Sequence, residues 1–376
     1  MTTDRFKFKI QARFFIMLLL STIILGLLKI FGLLNLKLFQ GAFRSANVNF
    51  ILIAVTLVVM SLLGVVKYYY ILKILSISSR FVNVLSTNLI SQAIGQWMPG
   101  SMAVTEVIRF GLISGSGSSL KDNHPDAATA GLKGRIGLSI FLDRFIGLGV
   151  MFILSGSVAL VLLIQKNPIV KLHVLLAVLA FLSCILGFLL VLTLLLPGTF
   201  FLRKVSRFFE KTMKWLSPEG VRPRSLKGSA FRVCGGILSI YETLKSASAR
   251  PDWLAGPCVL SLGIAVLNPL TLYLSALAVG RRLPLDVILV AVPFTILSLF
   301  LPLGLAGYGG PQVIAIGAFS LFHINPETVV AASLVQNTAI LAVYTLCGGL
   351  SAGLMLERLQ AILKNARIAD ENRRLR

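Results

Sequence analysis

The chain has 376 residues, of which 56% are hydrophobic and 13% charged, and its mean hydropathy of +0.88 lies far above that of soluble globular domains. Its solvent is lipid. The formal net charge of +22 does not point to nucleic acid, because the Lys and Arg sit beside apolar segments, where they set topology and meet anionic headgroups.

Arg5, Lys7, Lys9 and Arg13 precede a long apolar run. That run exceeds a typical signal-peptide core and lacks a small-residue cleavage site, so it is expected to stay as the first helix. Apolar segments fall near 13–36, 50–72, 136–164, 172–197, 254–279 and 328–355, each long enough to span as helix. Two more are interrupted. The segment 84–115 carries Trp97, Met98, Pro99 and Gly100 at its centre, and 285–322 carries Pro302, Gly304, Gly307, Gly309, Gly310 and Pro311. Proline removes an amide donor and glycine loosens a helix, so each segment reads as two half-helices around a break.

Counting positive charges gives a topology. The amino terminus and the loops expected at 67–80, 116–135 and 198–232 are all basic and are expected on the cytoplasmic side. The 84–115 segment must then enter from the cytoplasm and return to it as a re-entrant hairpin, and 285–322 must enter and leave from outside. Arg281 and Arg282 on the outside run against this count. The expected fold is an all-α polytopic integral membrane protein, about six full spans plus two re-entrant broken hairpins arranged as an inverted repeat. Its parts are a transmembrane half at 1–197, a basic amphipathic connector at 198–250 lying along the inner surface, a second transmembrane half at 251–358 and a basic tail at 359–376.

An ionisable group near the bilayer centre costs roughly 2.5–3.5 kcal/mol on insertion scales, so each needs a partner, a cavity or a function. Glu106 and Arg109, three apart, share a helical face just after the Pro99-Gly100 break. They form either a local ion pair or a clamp in which Glu106 holds the planar Arg109 fork toward a phosphate. Asp143 and Arg144 lie inside an apolar helix and point about 100° apart, so neither can satisfy the other alone. At least one of them is expected to reach another helix, through a pair of Glu106 with Arg144 or of Asp143 with Arg109. The break Gly307-Tyr308-Gly309-Gly310-Pro311-Gln312 exposes backbone groups that suit either an anion or close helix packing. Asn268, Gln336 and Asn337 read as polar glue between helices.

His124, His173 and His323 stand far apart, and no Ser-His-Asp or HExxH arrangement is present. Cys184, Cys234, Cys258 and Cys347 have no ligand or disulfide spacing and read as packing residues. Neither a metal nor a cofactor is expected.

With these residues in view, the chain resembles the flippase-like family typified by the transmembrane region of lysylphosphatidylglycerol synthase. Members carry a Pro followed by E-x-x-R on a broken segment, matched by Pro99 and Glu106-Val107-Ile108-Arg109. They carry an acidic-Arg pair in the next helix, matched by Asp143-Arg144, and a late Pro/Gly-rich break, matched by Pro302 to Gly310. Two departures are visible: the stretch from Pro99 to Glu106 is longer than usual, and Gln312 stands where the family commonly has Glu.

The resemblance implies translocation of an anionic phospholipid or a polyprenyl-phosphate-linked lipid between leaflets of a bacterial inner membrane, with both termini cytoplasmic. On this expectation substrate meets Pro99, Gly100, Glu106, Arg109, Asp143, Arg144, Gly307, Tyr308, Gly309, Gly310 and Gln312. Lysyl transfer is not expected, since no soluble catalytic domain follows residue 376. Two other readings stay open: a non-catalytic partner of a cell-envelope synthase or glycosyltransferase, and an integral-membrane lipid phosphatase built around Pro99-Gly100-Ser101. Protein partners on these readings are a second copy or an envelope-biosynthesis enzyme.

Overall fold

The computed structural model describes residues 48–98, 100–115, 119–120, 125–164, 253–298, 304–305 and 308–354, with a few isolated positions between 23 and 185. The helices expected at 13–36 and 172–197, the connector at 198–250, the tail at 359–376, and Pro99, Pro302 and Gly307 lie outside them, apart from those isolated positions.

Among the described residues, the first half holds α1 (Val48–Ile74), α2 (Phe81–Gln96), α3 (Ser101–Gly115) and α4 (Pro125–Ile164) in chain order. The second half repeats the order with α5 (Ala255–Ala278), α6 (Leu285–Ser298), α7 (Gly310–Ser320) and α8 (Pro326–Leu354). Four of these helices, α1, α4, α5 and α8, are long and apolar enough to cross a membrane. On α1 the buried side chains Ile53, Leu57, Ser61, Val65, Tyr68 and Leu72 alternate at helical spacing with exposed Ile51, Val55, Val58, Leu62 and Val66. Both stripes are apolar, as a helix with protein on one side and acyl chains on the other requires.

Two short antiparallel pairings organise the broken segments. Ile77–Ser78 (β1) pairs with Ser119–Leu120 (β2), placing Ile77 opposite Leu120 and Ser78 opposite Ser119. The chain therefore enters α2 and leaves α3 at one end of the bundle, and the α2–α3 hairpin does not cross it. At the second break Gly304–Leu305 (β3) pairs with Tyr308–Gly309 (β4). In that hairpin Leu283, before α6, and Phe319, at the end of α7, belong to one buried cluster, and α6 packs against α7.

The tip of the first hairpin is set by glycine. Gly100 has φ +66°, a left-handed turn between the arms. A Cβ on Gly95 would lie 1.9 Å from Thr105 Oγ1, so only a residue without a side chain lets α2 and α3 approach this closely.

The structure differs from the expectation in two places. The basic stretch 67–80 is helix as far as Ile74, and 116–135 is already helix from Pro125. Both helices outrun the apolar windows that marked them: α4 has 40 residues, about 60 Å at 1.5 Å per residue, twice the hydrocarbon thickness. Lys67 is thus a residue of α1 rather than of a loop.

The two halves are related by an inverting pseudo-twofold. An offset of 204 residues carries Ile74 onto Ala278 and Phe81 onto Leu285. Exchanging halves maps the α2–α8 contact onto α6–α4, α2–α3 onto α6–α7, α4–α5 onto α8–α1 and α3–α4 onto α7–α8. The largest interface, α1 on α5, maps onto itself. That interface is antiparallel: Tyr70 packs on Gly256, Leu63 on Gly263, and Ile53 and Leu57 on Leu274 and Ala278. An axis that relates two antiparallel helices runs across them, so the repeat is inverted with respect to the helix direction.

Candidate functional site

Where α1, α2, α3 and α4 converge, five charged side chains form one chain of alternating sign. Lys67 Nζ on α1 lies 2.8 Å from Asp143 Oδ1 on α4. Asp143 Oδ2 lies 3.1 Å from Arg109 Nη1 on α3, and that same nitrogen is 3.2 Å from Glu106 Oε2 one turn earlier. Glu106 Oε1 accepts from Arg144 Nε at 2.6 Å and also contacts its terminal nitrogen. Both cross-helix pairs expected from the sequence are present. Their geometry has the stated cause, because adjacent Asp143 and Arg144 turn to different neighbours.

The series runs Lys67, Asp143, Arg109, Glu106, Arg144. It holds three cations and two carboxylates, a net charge of +1. Burial falls along it: Lys67, Asp143 and Arg109 are 5%, 5% and 2% exposed, whereas the Arg144 side chain retains 29%. Arg144 is the open end.

Neutral groups hold the inner end in place. Arg109 Nη2 donates to Asn88 Oδ1 on α2 at 2.5 Å, and its guanidinium lies 4.9 Å from the Tyr68 ring. The Tyr68 hydroxyl is 3.0 Å from Ser139 Oγ on α4. Lys67 also donates to the Asp143 backbone carbonyl at 2.9 Å. It gains that approach from Gly147, one turn on, where a Cβ would stand 3.2 Å from the ammonium.

Beside this chain lies a cavity of about 230 Å³. The first half contributes Lys67, Asn88, Arg109, Asp143 and Arg144, and Ser101 and Met102 at the start of α3. The second half contributes Ser261 and Asn268 of α5 and Tyr344 of α8. Asn88 Nδ2, Arg109 Nε and Ser261 Oγ have no hydrogen-bond partner among the described residues. Buried donors of this kind are uncommon and each calls for an explanation.

The second break is placed differently. Tyr308, Gly309, Gly310 and Gln312 do not line this cavity. Gln312 is fully buried, and its Oε1 accepts the Gly309 amide at 2.6 Å, closing the turn that starts α7. The Tyr308 hydroxyl is 2.8 Å from Thr338 Oγ1 on α8. An amide that would suit an anion is already bonded to the side chain three residues on. Among the polar points in the helices, Gln336 joins α8 to α5 through Thr271 at 2.6 Å, while Asn268 faces the cavity.

Sequence reasoning missed Lys67, Asn88 and Tyr68. Lys67 sits one turn before Ile71 and three turns after Thr56, on the flank of the buried face. That register was a signal for a buried lysine. Asn88 and Tyr68 carried none beyond helical spacing.

Residues 14–348 match the family described as the lysylphosphatidylglycerol synthase TM region. No curated protein matches the chain, and no solved structure does. With nearly its whole length covered, the chain belongs to the lysylphosphatidylglycerol synthase TM region family and is a polytopic, lipid-related membrane protein.

Proposed function

We propose that the protein is a lipid translocator that moves an anionic phospholipid or polyprenyl-phosphate-linked lipid between leaflets, its headgroup sheltered in the cavity while the acyl chains stay in the bilayer. The observation that carries this reading is a net-positive chain of buried charges beside a cavity lined by both halves of an inverted repeat. A cation at membrane depth is costly unless it is paired or serves a ligand, and in this series every cation is paired and all but the half-open Arg144 are deeply buried. Arg144 is the group a phosphate would meet first, with Arg109 behind it held by Glu106, Asp143 and Asn88.

All the ion pairs described lie within the first half. A rocking of one half against the other, the usual motion of inverted repeats, would therefore reshape the cavity without pulling opposite charges apart. The inner membrane, cytoplasmic termini and the absence of an enzymatic step belong to the same proposal.

The test is leaflet translocation of fluorescent phosphatidylglycerol and polyprenyl-phosphate analogues in proteoliposomes, with Arg109→Ala and Arg144→Ala at matched reconstitution. Headgroup-selective movement lost in both variants is expected. Movement unaffected by either would remove the cavity from the mechanism, and hydrolysis of a phosphomonoester by the purified protein would favour the phosphatase instead.

A further inference from the structure

We infer that the cavity is matched in charge to one phosphodiester: its substrate is a monoanionic phospholipid whose headgroup carries hydroxyls, neither a phosphomonoester nor an ammonium-bearing lipid. This rests on the translocator reading and narrows it. Three cations and two carboxylates leave one positive charge, and one diester phosphate brings the sum to zero. A neutral complex is the form that passes a low-dielectric region at least cost. A phosphomonoester carries about −1.5 to −2 at neutral pH and would leave excess negative charge.

Ammonium headgroups are disfavoured by the lining itself. Among the described residues that line the cavity, the carboxylate present is Asp143, already held by Lys67 and Arg109. An ammonium would find no acceptor of opposite charge and would face Arg144. Aminoacylated phosphatidylglycerol, which the family description names, therefore fits less well than its unmodified parent. What the lining does offer is neutral and hydrogen-bonding: Gln96, Ser261, Asn268 and the amide of Asn88, with Ser261 Oγ and Asn88 Nδ2 unpartnered among the described residues. These suit the hydroxyls of a glycerol headgroup. The cavity also falls below the roughly 300–1,000 Å³ that encloses a drug-sized ligand, so it admits a small headgroup and excludes a lipid-linked oligosaccharide.

The experiment compares phosphatidylglycerol, phosphatidylcholine, phosphatidic acid and lysyl-phosphatidylglycerol analogues in proteoliposomes of the full chain. Wild type is expected to move phosphatidylglycerol about tenfold faster than the others. Lys67→Gln lowers the site charge to zero and is expected to shift preference toward phosphatidylcholine. Asp143→Asn raises it to +2 and is expected to favour phosphatidic acid. The Lys67→Gln/Asp143→Asn double variant restores +1 and with it the phosphatidylglycerol preference, a reversal that mere structural damage would not give. Equal movement of all four lipids overturns the charge match and leaves the translocator reading standing. If wild type moves none, that reading falls, and thermal stabilisation of the detergent-purified protein by short-chain forms of the same lipids decides the match: preference for phosphatidylglycerol supports it, indifference to headgroup overturns it.

Discussion

Asp143 is the residue whose loss should be felt most, and the size of the effect follows from what it leaves behind. Asn at this position removes the carboxylate shared by Lys67 and Arg109, at 2.8 and 3.1 Å. Removing one partner of a buried pair costs about 3–5 kcal/mol because the other charge stays buried. Arg109 keeps Glu106 and Asn88, and Lys67 keeps the backbone carbonyl of residue 143, which places the cost at the lower end, about 3 kcal/mol. Lys67→Gln leaves Asp143 with Arg109 and loses a charged hydrogen bond, about 2 kcal/mol. The double variant leaves neither charge without the other, so its loss should be about 1–2 kcal/mol smaller than the sum of the two single losses. Unfolding in mixed detergent–SDS micelles, followed by circular dichroism, gives the three values. Additivity within about 0.5 kcal/mol would refute the coupling and with it the claim that these charges act as one unit.

Other outcomes follow from the packing. A Cβ on Gly348 would lie 2.2 Å from Ala93 Cβ and 2.8 Å from the Leu89 carbonyl, neither of which can swing aside, so Gly348→Ala should cost about 1–3 kcal/mol by thermal unfolding in detergent. Gly100→Ala, at φ +66°, should cost about 1 kcal/mol, an effect absent at Gly349, where a Cβ likewise meets nothing but the backbone is helical. A Ser78→Cys/Ser119→Cys pair, opposite each other in register, should oxidise to a disulfide, since facing Cα atoms in an antiparallel pair stand about 4.5–5.5 Å apart. Failure of that bond, scored by mobility after cleavage between the two positions, would unpin the ends of the first hairpin.

The periodic features of this chain were legible and its long-range ones less so. Four spans and both breaks followed from apolar length and from Pro and Gly, because in lipid these dominate every other local preference. The Glu106–Arg144 and Asp143–Arg109 pairs followed from a single angle, the 100° step between adjacent helical residues. Lys67 was hidden by a reasonable rule: a lysine beside an apolar run is usually at the interface, and here the helix continues past it for two turns. Asn88 and Tyr68 are ordinary members of ordinary helices until α3 brings Arg109 against them. The second break looked like an anion site because its sequence cannot distinguish a free amide from one already bonded to Gln312.

The inverted repeat explains why charge is concentrated in one half. The offset that carries Phe81 onto Leu285 takes Lys67 to Thr271, and the offset between the starts of α3 and α7 takes Glu106 to Ala315 and Arg109 to Ala318. In the second half these positions are filled by a hydroxyl bonded to Gln336 and by small apolar side chains, Ala315 buried in a core cluster. A symmetric pair of charged sites would place six cations and four carboxylates at membrane depth, each needing partners. Charging one half and packing the other keeps the shared cavity while confining that cost to a single network. Moving a charged residue into the packed half, for example Ala318→Arg, should therefore destabilise the fold without creating a second site, since no acid awaits it at position 315.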